Sequence, residues 1–423
     1  MTDVHLEWVN ATYMRVQTDA GILMELSDHL TFFKHNYRFD PKYKARVWDG
    51  KIRLLNRLTA QCYTGLAYRV MKFCQQRGYT FSFDDEFAYD TILMNEVEAH
   101  IAKYKPEWMD DRDYQADAIL RCLRARRMTL LSPTSSGKSF MIYLLMMWYK
   151  KKTIIIVPTT GLVQQFKSDL ESYGFKGVID TSMGGLLKDN NIPADVVITT
   201  WQSLDNGKKK MPKVWFDQFD VVFGDEAHGA KATTLIKIFQ AMDNVRYRFG
   251  TTGTLPDNQL DKATIEGLFG KQYRSTTTRE LIDGGHAADI KIKCLVFRYP
   301  ETVRKAFHQP IQDPKDKKKR RRRNYAEETQ FLVDYEARTK YIRNLALSLK
   351  GNKLIFFRLV EHGKLIYEAL KDQPNVFYID GSVKDRESIR KAIEEEENAI
   401  LIASLGTTST GVSINRLHRC RLS

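Results

Sequence analysis

Cysteine is scarce in this chain and poorly arranged for structural work. The five cysteines in 423 residues, Cys62, Cys74, Cys122, Cys294 and Cys420, are odd in number, scattered and never in a C-x-x-C pair. That argues against a disulfide framework or a zinc site and for a reducing compartment. A secretion signal is missing too, since MTDVHLEWVN has no charged-then-apolar order. No apolar run reaches the roughly 20 residues that span a bilayer. The longest lies near Phe140–Tyr149. The expectation is a soluble, intracellular (cytoplasmic) protein with no membrane partner. Acidic side chains are also in deficit, 52 against 66 basic ones, giving a formal charge of +14 and a pI near 9.3. Such an excess favours polyanionic partners, because each neutralised phosphate releases counterions. A basic surface kept for solubility is the other reading.

What is present organises into blocks. A hydrophobic content of 43% supports real cores, and the length implies two to three domains. Residues 1–105 are rich in aromatics. YMRVQ and GILMEL read as short strands, TGLAYRVMKFCQQRG as a helix with a Gly stop, and YKARVWDGKIRLL as a hairpin turning at Asp49-Gly50. Residues 106–295 alternate helical segments with continuous β-branched runs: TIIIV (153–157), DVVIT (195–199) and DVVFG (220–224). That rhythm predicts a doubly wound parallel sheet. Residues 296–338 carry DPKDKKKRRRR, with seven consecutive basic residues from Lys317 to Arg323. Like charges at that density predict a flexible exposed loop, either a solvated linker or a phosphate-gripping segment through Lys317 and Arg320. Residues 339–423 repeat the α/β rhythm with KLIFF (353–357), VFYID (376–380) and AILIA (399–403).

Two motifs carry chemistry. SPTSSGKS, comprising Ser132, Pro133, Thr134, Ser135, Ser136, Gly137, Lys138 and Ser139, follows an apolar strand and opens a helical segment. Small residues there let backbone amides curl around phosphates at a helix N-terminus, with Lys138 reaching the β and γ phosphates and the Ser139 hydroxyl ligating Mg²⁺. The first position is usually Gly or Ala, and here it is Ser132. DVVFGDEAH places Asp225-Glu226-Ala227-His228 directly after a second buried strand. Asp225 suits Mg²⁺ and Glu226 suits orienting and deprotonating a water. His228 is open to reading as a metal ligand or a surface histidine. The two motifs lie about 90 residues apart, and together they point to ATP hydrolysis.

With the segments around them, these motifs resemble the superfamily 2 helicases of DEAH type. The phage-type members of that superfamily and their XPB-like relatives are the most similar. The resemblance spans roughly 300 residues and implies tandem RecA-like motor lobes in an α/β chain, preceded by a small α+β domain. His228 would then join the catalytic set. RDYQ is similar to the adenine-reading element, with Gln115 on the base edge and Arg112 supporting it. VPTTGLVQQF resembles motif Ia and TTWQSL motif Ib, which sets Pro158, Thr159, Thr160, Thr200, Trp201 and Gln202 against the phosphates of a strand. GTTGTL resembles motif III, where Thr252 and Thr254 link γ-phosphate status to lobe movement. LIFFRLVEHGKLI, with Arg358, resembles motif IV. SLGTTSTGVSI resembles motif V, with Thr410 and Gly411 near nucleotide and nucleic acid. The resemblance implies an ATP-dependent, Mg²⁺-requiring, monomeric DNA motor. Its substrates would be branched or single-stranded DNA (forks, Holliday junctions) or RNA–DNA hybrids in R-loops, and it would act in replication, recombination and repair.

YKARVWDGKIRLL also resembles the damage-recognition-like modules beside XPB-type motors. Lys44, Arg46, Trp48 and Lys51 interleave stacking and phosphate-binding chemistry there, although Trp48 packed beneath a solvated basic face reads equally well. No Q-x-x-G-R-x-x-R segment follows motif V, and Arg416, Arg419 and Arg421 lack its spacing and following strand. The expectation is a second lobe truncated before motif VI, a fragment or frame variant that binds ATP and DNA but turns over ATP poorly. Two rival readings stay open: a restriction-system motor subunit, for which no PD…(D/E)xK signature is found, and a non-catalytic DNA-binding or annealing protein.

Overall fold

A computed structural model describes residues 2–181, 193–205, 207, 210–231, 233–289, 292–313, 318–383, 386–408 and 419–422. The chain divides into two compact units, Met1–Asp289 and Ile290–Ser423.

The first unit begins with β1 (Val4–Trp8), β2 (Tyr13–Thr18), β3 (Thr31–Phe33), β4 (Lys51–Arg53), β5 (Gln61–Tyr63) and β6 (Phe81–Phe83). Four of them form a sheet of order β5-β2-β1-β6, and β3 pairs separately with β4. Alternation sends Val4, Leu6, Met14 and Val16 into a core completed by the helices Ala20–His29 and Ala67–Arg77. GILMEL, expected as a strand, lies in the first of those helices. Asp19 caps it by accepting from Ile22 N at 2.9 Å, and Ile22, Leu26 and Leu30, four residues apart, all face the core. YKARVWDGKIRLL is not a hairpin either. Asp40 caps a helical turn at Pro41–Lys44, with Pro at its start, so only β4 after the Asp49-Gly50 turn is extended, and it pairs with β3.

Seven parallel strands follow: β7 (Arg127–Leu131), β8 (Thr153–Val157), β9 (Ile179–Asp180), β10 (Val196–Thr200), β11 (Val221–Asp225), β12 (Tyr247–Thr252) and β13 (Gln272–Arg274), in the order β13-β7-β12-β11-β8-β10-β9. Along β8, Ile155 and Val157 enter one core and Ile154 and Ile156 the other, so the sheet is covered on both faces. The helix Lys138–Tyr149 is apolar on nearly every side and buries all seven residues from Phe140 to Met146. The sheet is thus built around the phosphate loop that precedes this helix.

The N-terminal module is locked onto this lobe by a buried arginine. Arg248 of β12 is fully buried, donating to Val245 O (3.0 Å), Phe239 O (3.2 Å), Met242 O and, from the module, Thr12 Oγ1 (2.9 Å). Beside it Ala11 N donates to Asp243 O at 2.8 Å, and Arg127 donates to Ala11 O at 2.5 Å. Arg69 pairs with Glu266, and a Cβ at Gly65 would overlap the carbonyl oxygens of Glu266 and Gly267. The backbones therefore approach as closely as glycine permits.

The second unit holds β14 (Ile311–Gln312), β15 (Arg320–Arg321), β16 (Lys353–Phe357), β17 (Val376–Ile379), β18 (Ile400–Ser404) and β19 (Arg419–Leu422). A parallel sheet of order β17-β18-β16-β19 carries the expected apolar runs, and Arg419–Leu422 forms its edge beside β16. The basic run departs from the expected flexible loop: Arg320 and Arg321 pair antiparallel with Gln312 and Ile311. Arg321 is tied to Glu327 by two bonds of 2.7 Å, and Arg323 donates to carbonyls of the helix Glu301–His308, including that of Phe307. Internal acceptors therefore offset the mutual repulsion of these arginines. No helix among the described residues is long and apolar enough to cross a membrane.

Candidate nucleotide site and nucleic-acid surfaces

The phosphate loop runs from the end of β7 to Gly137, turning through left-handed conformations at Ser135 (φ 67°) and Gly137 (φ 78°). A Cβ at Gly137 would overlap the Gln115 amide, so glycine is needed for space as well as conformation. The RDYQ segment clamps the loop from outside. Arg112 Nη1 donates to Ser135 O at 2.6 Å, and Gln115 Nε2 and Tyr114 OH donate to Ser136 O at 3.0 Å each. Carbonyls held this way leave the loop's amides, at the positive end of the helix Lys138–Tyr149, for an anion. Ser136 Oγ is buried without a partner, as a hydroxyl meant for a phosphate oxygen would be. Ser132 is spent differently, its hydroxyl lying 2.6 Å from Ser275 Oγ. Pro133 starts the turn, its carbonyl accepting from Ser136 N at 3.3 Å, while Thr134 stays exposed.

Parallel register brings the second motif into range. β11 pairs with β12 so that Asp225 lies beside Thr251, whose hydroxyl donates to Asp225 Oδ1 at 2.7 Å. Lys138 Nζ reaches Glu226 Oε1 at 4.0 Å and Ser132 O at 3.4 Å. His228 Nδ1 lies 3.1 Å from Glu226 Oε2 and 2.9 Å from Thr252 Oγ1. Thr252 in turn donates to Thr254 O at 2.8 Å, which chains the acidic motif to motif III. Glu226 holds a left-handed backbone, φ 51°, uncommon for a non-glycine residue and often found at working sites. The two carboxyls are pushed in opposite directions. Burial raises the Asp225 pKa, whereas the His228 hydrogen bond and the Lys138 charge hold Glu226 below the usual carboxylate range. A buried carboxyl of that kind suits a cation that would restore its charge. The Ser139 hydroxyl, the other Mg²⁺ candidate, lies 2.9 Å from Tyr173 OH. Both candidates offer oxygen donors, the ligand type Mg²⁺ takes.

Motifs Ia and Ib meet at the C-terminal ends of neighbouring strands β8 and β10. Thr159 caps the helix Thr160–Ser172, and Gln202 Nε2 donates to Pro158 O at 3.4 Å. Thr200 is buried and its hydroxyl serves Ser203, so Thr160 and Gln202 are the more accessible members and Trp201 is half-buried. Pro158, Trp201 and the Asp225-Glu226 backbone share a cavity of about 30 Å³, room for about one water. In the module, Lys44 and Arg46 are exposed, Trp48 is half-buried with its Nε1 donating to Lys51 O at 3.0 Å, and Lys51 lies over Phe33. In the second unit Arg320 and Arg358 are exposed. Lys317, Thr410 and Gly411 lie outside the described residues. Sequence reasoning missed Tyr114, Tyr173, Thr251 and Ser275. Tyr114 stood inside the quoted RDYQ, but the others become neighbours only through sheet register or helix packing.

Comparisons with known proteins give the chain's family. Residues 3–84 match the family described as DNA helicase UvsW, N-terminal, and residues 109–257 match the type III restriction enzyme res subunit family. The chain is 31% identical to the ATP-dependent DNA helicase uvsW of Enterobacteria phage T4, over 98% of this chain and 83% of that one. It is 23% identical to the DNA 3'-5' translocase XPB2 of Sulfurisphaera tokodaii, over 66% of this chain and 57% of that one. The crystal structure of T4 UvsW superposes with a TM-score of 0.58 at 29% identity, covering 99% of this chain and 83% of that chain. From the N-terminal module through the ATP lobe to the second parallel sheet, the chain belongs to the UvsW family of superfamily 2 helicases.

Proposed function

We propose that the chain is an ATP-driven DNA translocase that remodels branched DNA: forks, Holliday junctions and, through RNA–DNA hybrids, R-loops. The observation that carries this reading is the chain of contacts from Lys138 through Glu226 and His228 to Thr252, each link 4.0 Å or shorter. The DNA helicase named in the T4 relative supports DNA as the substrate.

In this reading Arg112, Tyr114 and Gln115 fix the loop, Ser136 and Lys138 take phosphate oxygens, and Ser139 with Asp225 hold Mg²⁺. That ion would draw charge from the β and γ phosphates. Glu226, kept ionised by His228 and Lys138, orients the attacking water and accepts its proton. His228 and Thr252 report loss of the γ phosphate along β12, and motifs Ia and Ib carry the change to the DNA strand. Pro158, Thr159, Thr160, Trp201 and Gln202 of the first unit contact one strand, and in the second unit Arg358, Thr410, Lys317 and Arg320 are the candidates for gripping phosphates. The motor works as a monomer.

The test compares ATP hydrolysis on single-stranded, duplex and forked DNA of matched length. Forked DNA should stimulate most, and Lys138→Ala should abolish stimulation while DNA binding persists. Equal rates on all three would overturn the branched-DNA assignment. DNA binding with no ATP turnover in the parent chain would leave the annealing-protein reading instead.

A further inference from the structure

The N-terminal module carries a second cavity, remote in sequence from the phosphate loop and lined by Arg38, Tyr43, Lys44, Arg46, Val47, Trp48 and Asp49. Its volume is about 550 Å³, within the range of pockets that take one small molecule. Its chemistry is one-sided. Arg38, Lys44 and Arg46 are exposed, and among the described residues none of them is in an ion pair, although Arg15, Arg53, Arg57 and Arg69 of the same module each have one. The single carboxylate of the lining, Asp49, is already held by Arg53 at 2.6 Å.

Aromatic surface is held rigid among those cations. Trp48 is pinned through its Nε1 to Lys51 O, with Lys34 Nζ 5.7 Å from its ring centre. Tyr43 stands edge-on to Tyr37 at 4.9 Å. Val47 is 75% exposed at the rim. Arg38 donates to Tyr37 OH at 3.3 Å and Lys44 lies over Phe39, so both cations meet rings and, among the described residues, no carboxylate. Cations placed so beside pre-set rings are the combination that grips a backbone phosphate while a base stacks. A paired base offers only its edges, so the cavity selects one that has left the stack.

We infer that this cavity takes a single unstacked nucleotide of DNA. The base lies against Tyr43 and Trp48, and the flanking phosphates lie among Arg38, Lys44 and Arg46. The inference rests on the DNA reading above and adds that the module recognises unpaired DNA at a branch. The experiment uses the full chain without ATP. Affinities are measured for a short single strand, for its duplex and for that duplex with one unpaired 2-aminopurine, whose fluorescence falls on stacking. Tyr43→Ala should weaken the single strand and the bulged duplex roughly tenfold, leave the plain duplex within about twofold, and reduce the quenching. Tyr43→Phe, which keeps the ring, should behave as the parent. Lys44→Ala with Arg46→Ala should weaken single-strand binding and lower its salt slope by roughly 1.4. Equal losses on all three DNAs with Tyr43→Ala, or quenching unchanged by it, would overturn the inference while leaving DNA binding intact. Failure of the parent chain to bind any of the three would overturn both readings.

Discussion

Around the phosphate loop, polar side chains are held by one another: Tyr114 and Gln115 on Ser136, Glu226 between His228 and Lys138, Asp225 on Thr251. In the N-terminal cavity the reverse holds, and Arg38, Lys44 and Arg46 stand exposed without a carboxylate. The difference matches what each region is proposed to bind. Chemistry on a phosphate needs groups fixed before the reaction, because reorganisation during the step would raise the barrier. A grip on a sliding polyanion needs charges that trade counterions for phosphates and trade them back.

Five substitutions would break or sharpen that contrast. The largest effect is expected from Lys138→Ala, which should lower ATP turnover by about a thousandfold or more. Single-strand affinity measured by titration should stay within about twofold. Glu226→Gln should cost roughly a hundred- to thousandfold in kcat with ATP binding retained, as seen by comparing turnover with nucleotide affinity. Its partner provides the pH test. Glu226 must be ionised to accept a proton, so turnover is lost as pH falls through its lowered pKa. His228→Ala removes the first cause of that lowering, so the acid limb of the kcat profile should move to higher pH. An unmoved limb would detach Glu226 from the proton-accepting role.

Arg248→Met should destabilise the first unit by about 3 kcal/mol, because it removes the buried guanidinium's hydrogen bonds to the carbonyls of Phe239, Met242 and Val245 and to the Thr12 hydroxyl. Thermal unfolding should shift down by several degrees, with faster proteolysis between the module and the lobe. The smallest effect belongs to Tyr114→Phe. Losing one bond to Ser136 O should weaken ATP binding about fivefold and leave DNA affinity unchanged.

The lobes' strands were legible because TIIIV, DVVIT and KLIFF are continuous β-branched or apolar runs, and burial on both faces leaves such runs no polar alternation to mislead. The first hundred residues were harder to read. GILMEL has enough apolar residues for a strand, and its helical character rests on Asp19 as a cap and on a spacing that runs on to Leu30. The basic run was read by charge alone, and charge cannot show that Glu327 and the carbonyl of Phe307 stand ready to receive Arg321 and Arg323. In the site, the motifs named their own residues but not their neighbours. Thr251 meets Asp225 only because β11 and β12 align in one register, and Tyr173 meets Ser139 only through the packing of two helices.

Arg248 lies four residues before Thr252 on β12, so the strand that fastens the module ends at the γ-phosphate reporter. The module is therefore part of the engine's frame and not a trailer on a hinge. A nucleotide held in the module's cavity would keep the same bearing on the phosphate loop for as long as these contacts hold, like a gauge bolted to a chassis. A linker graft that freed the module would turn a fixed offset into a slack one.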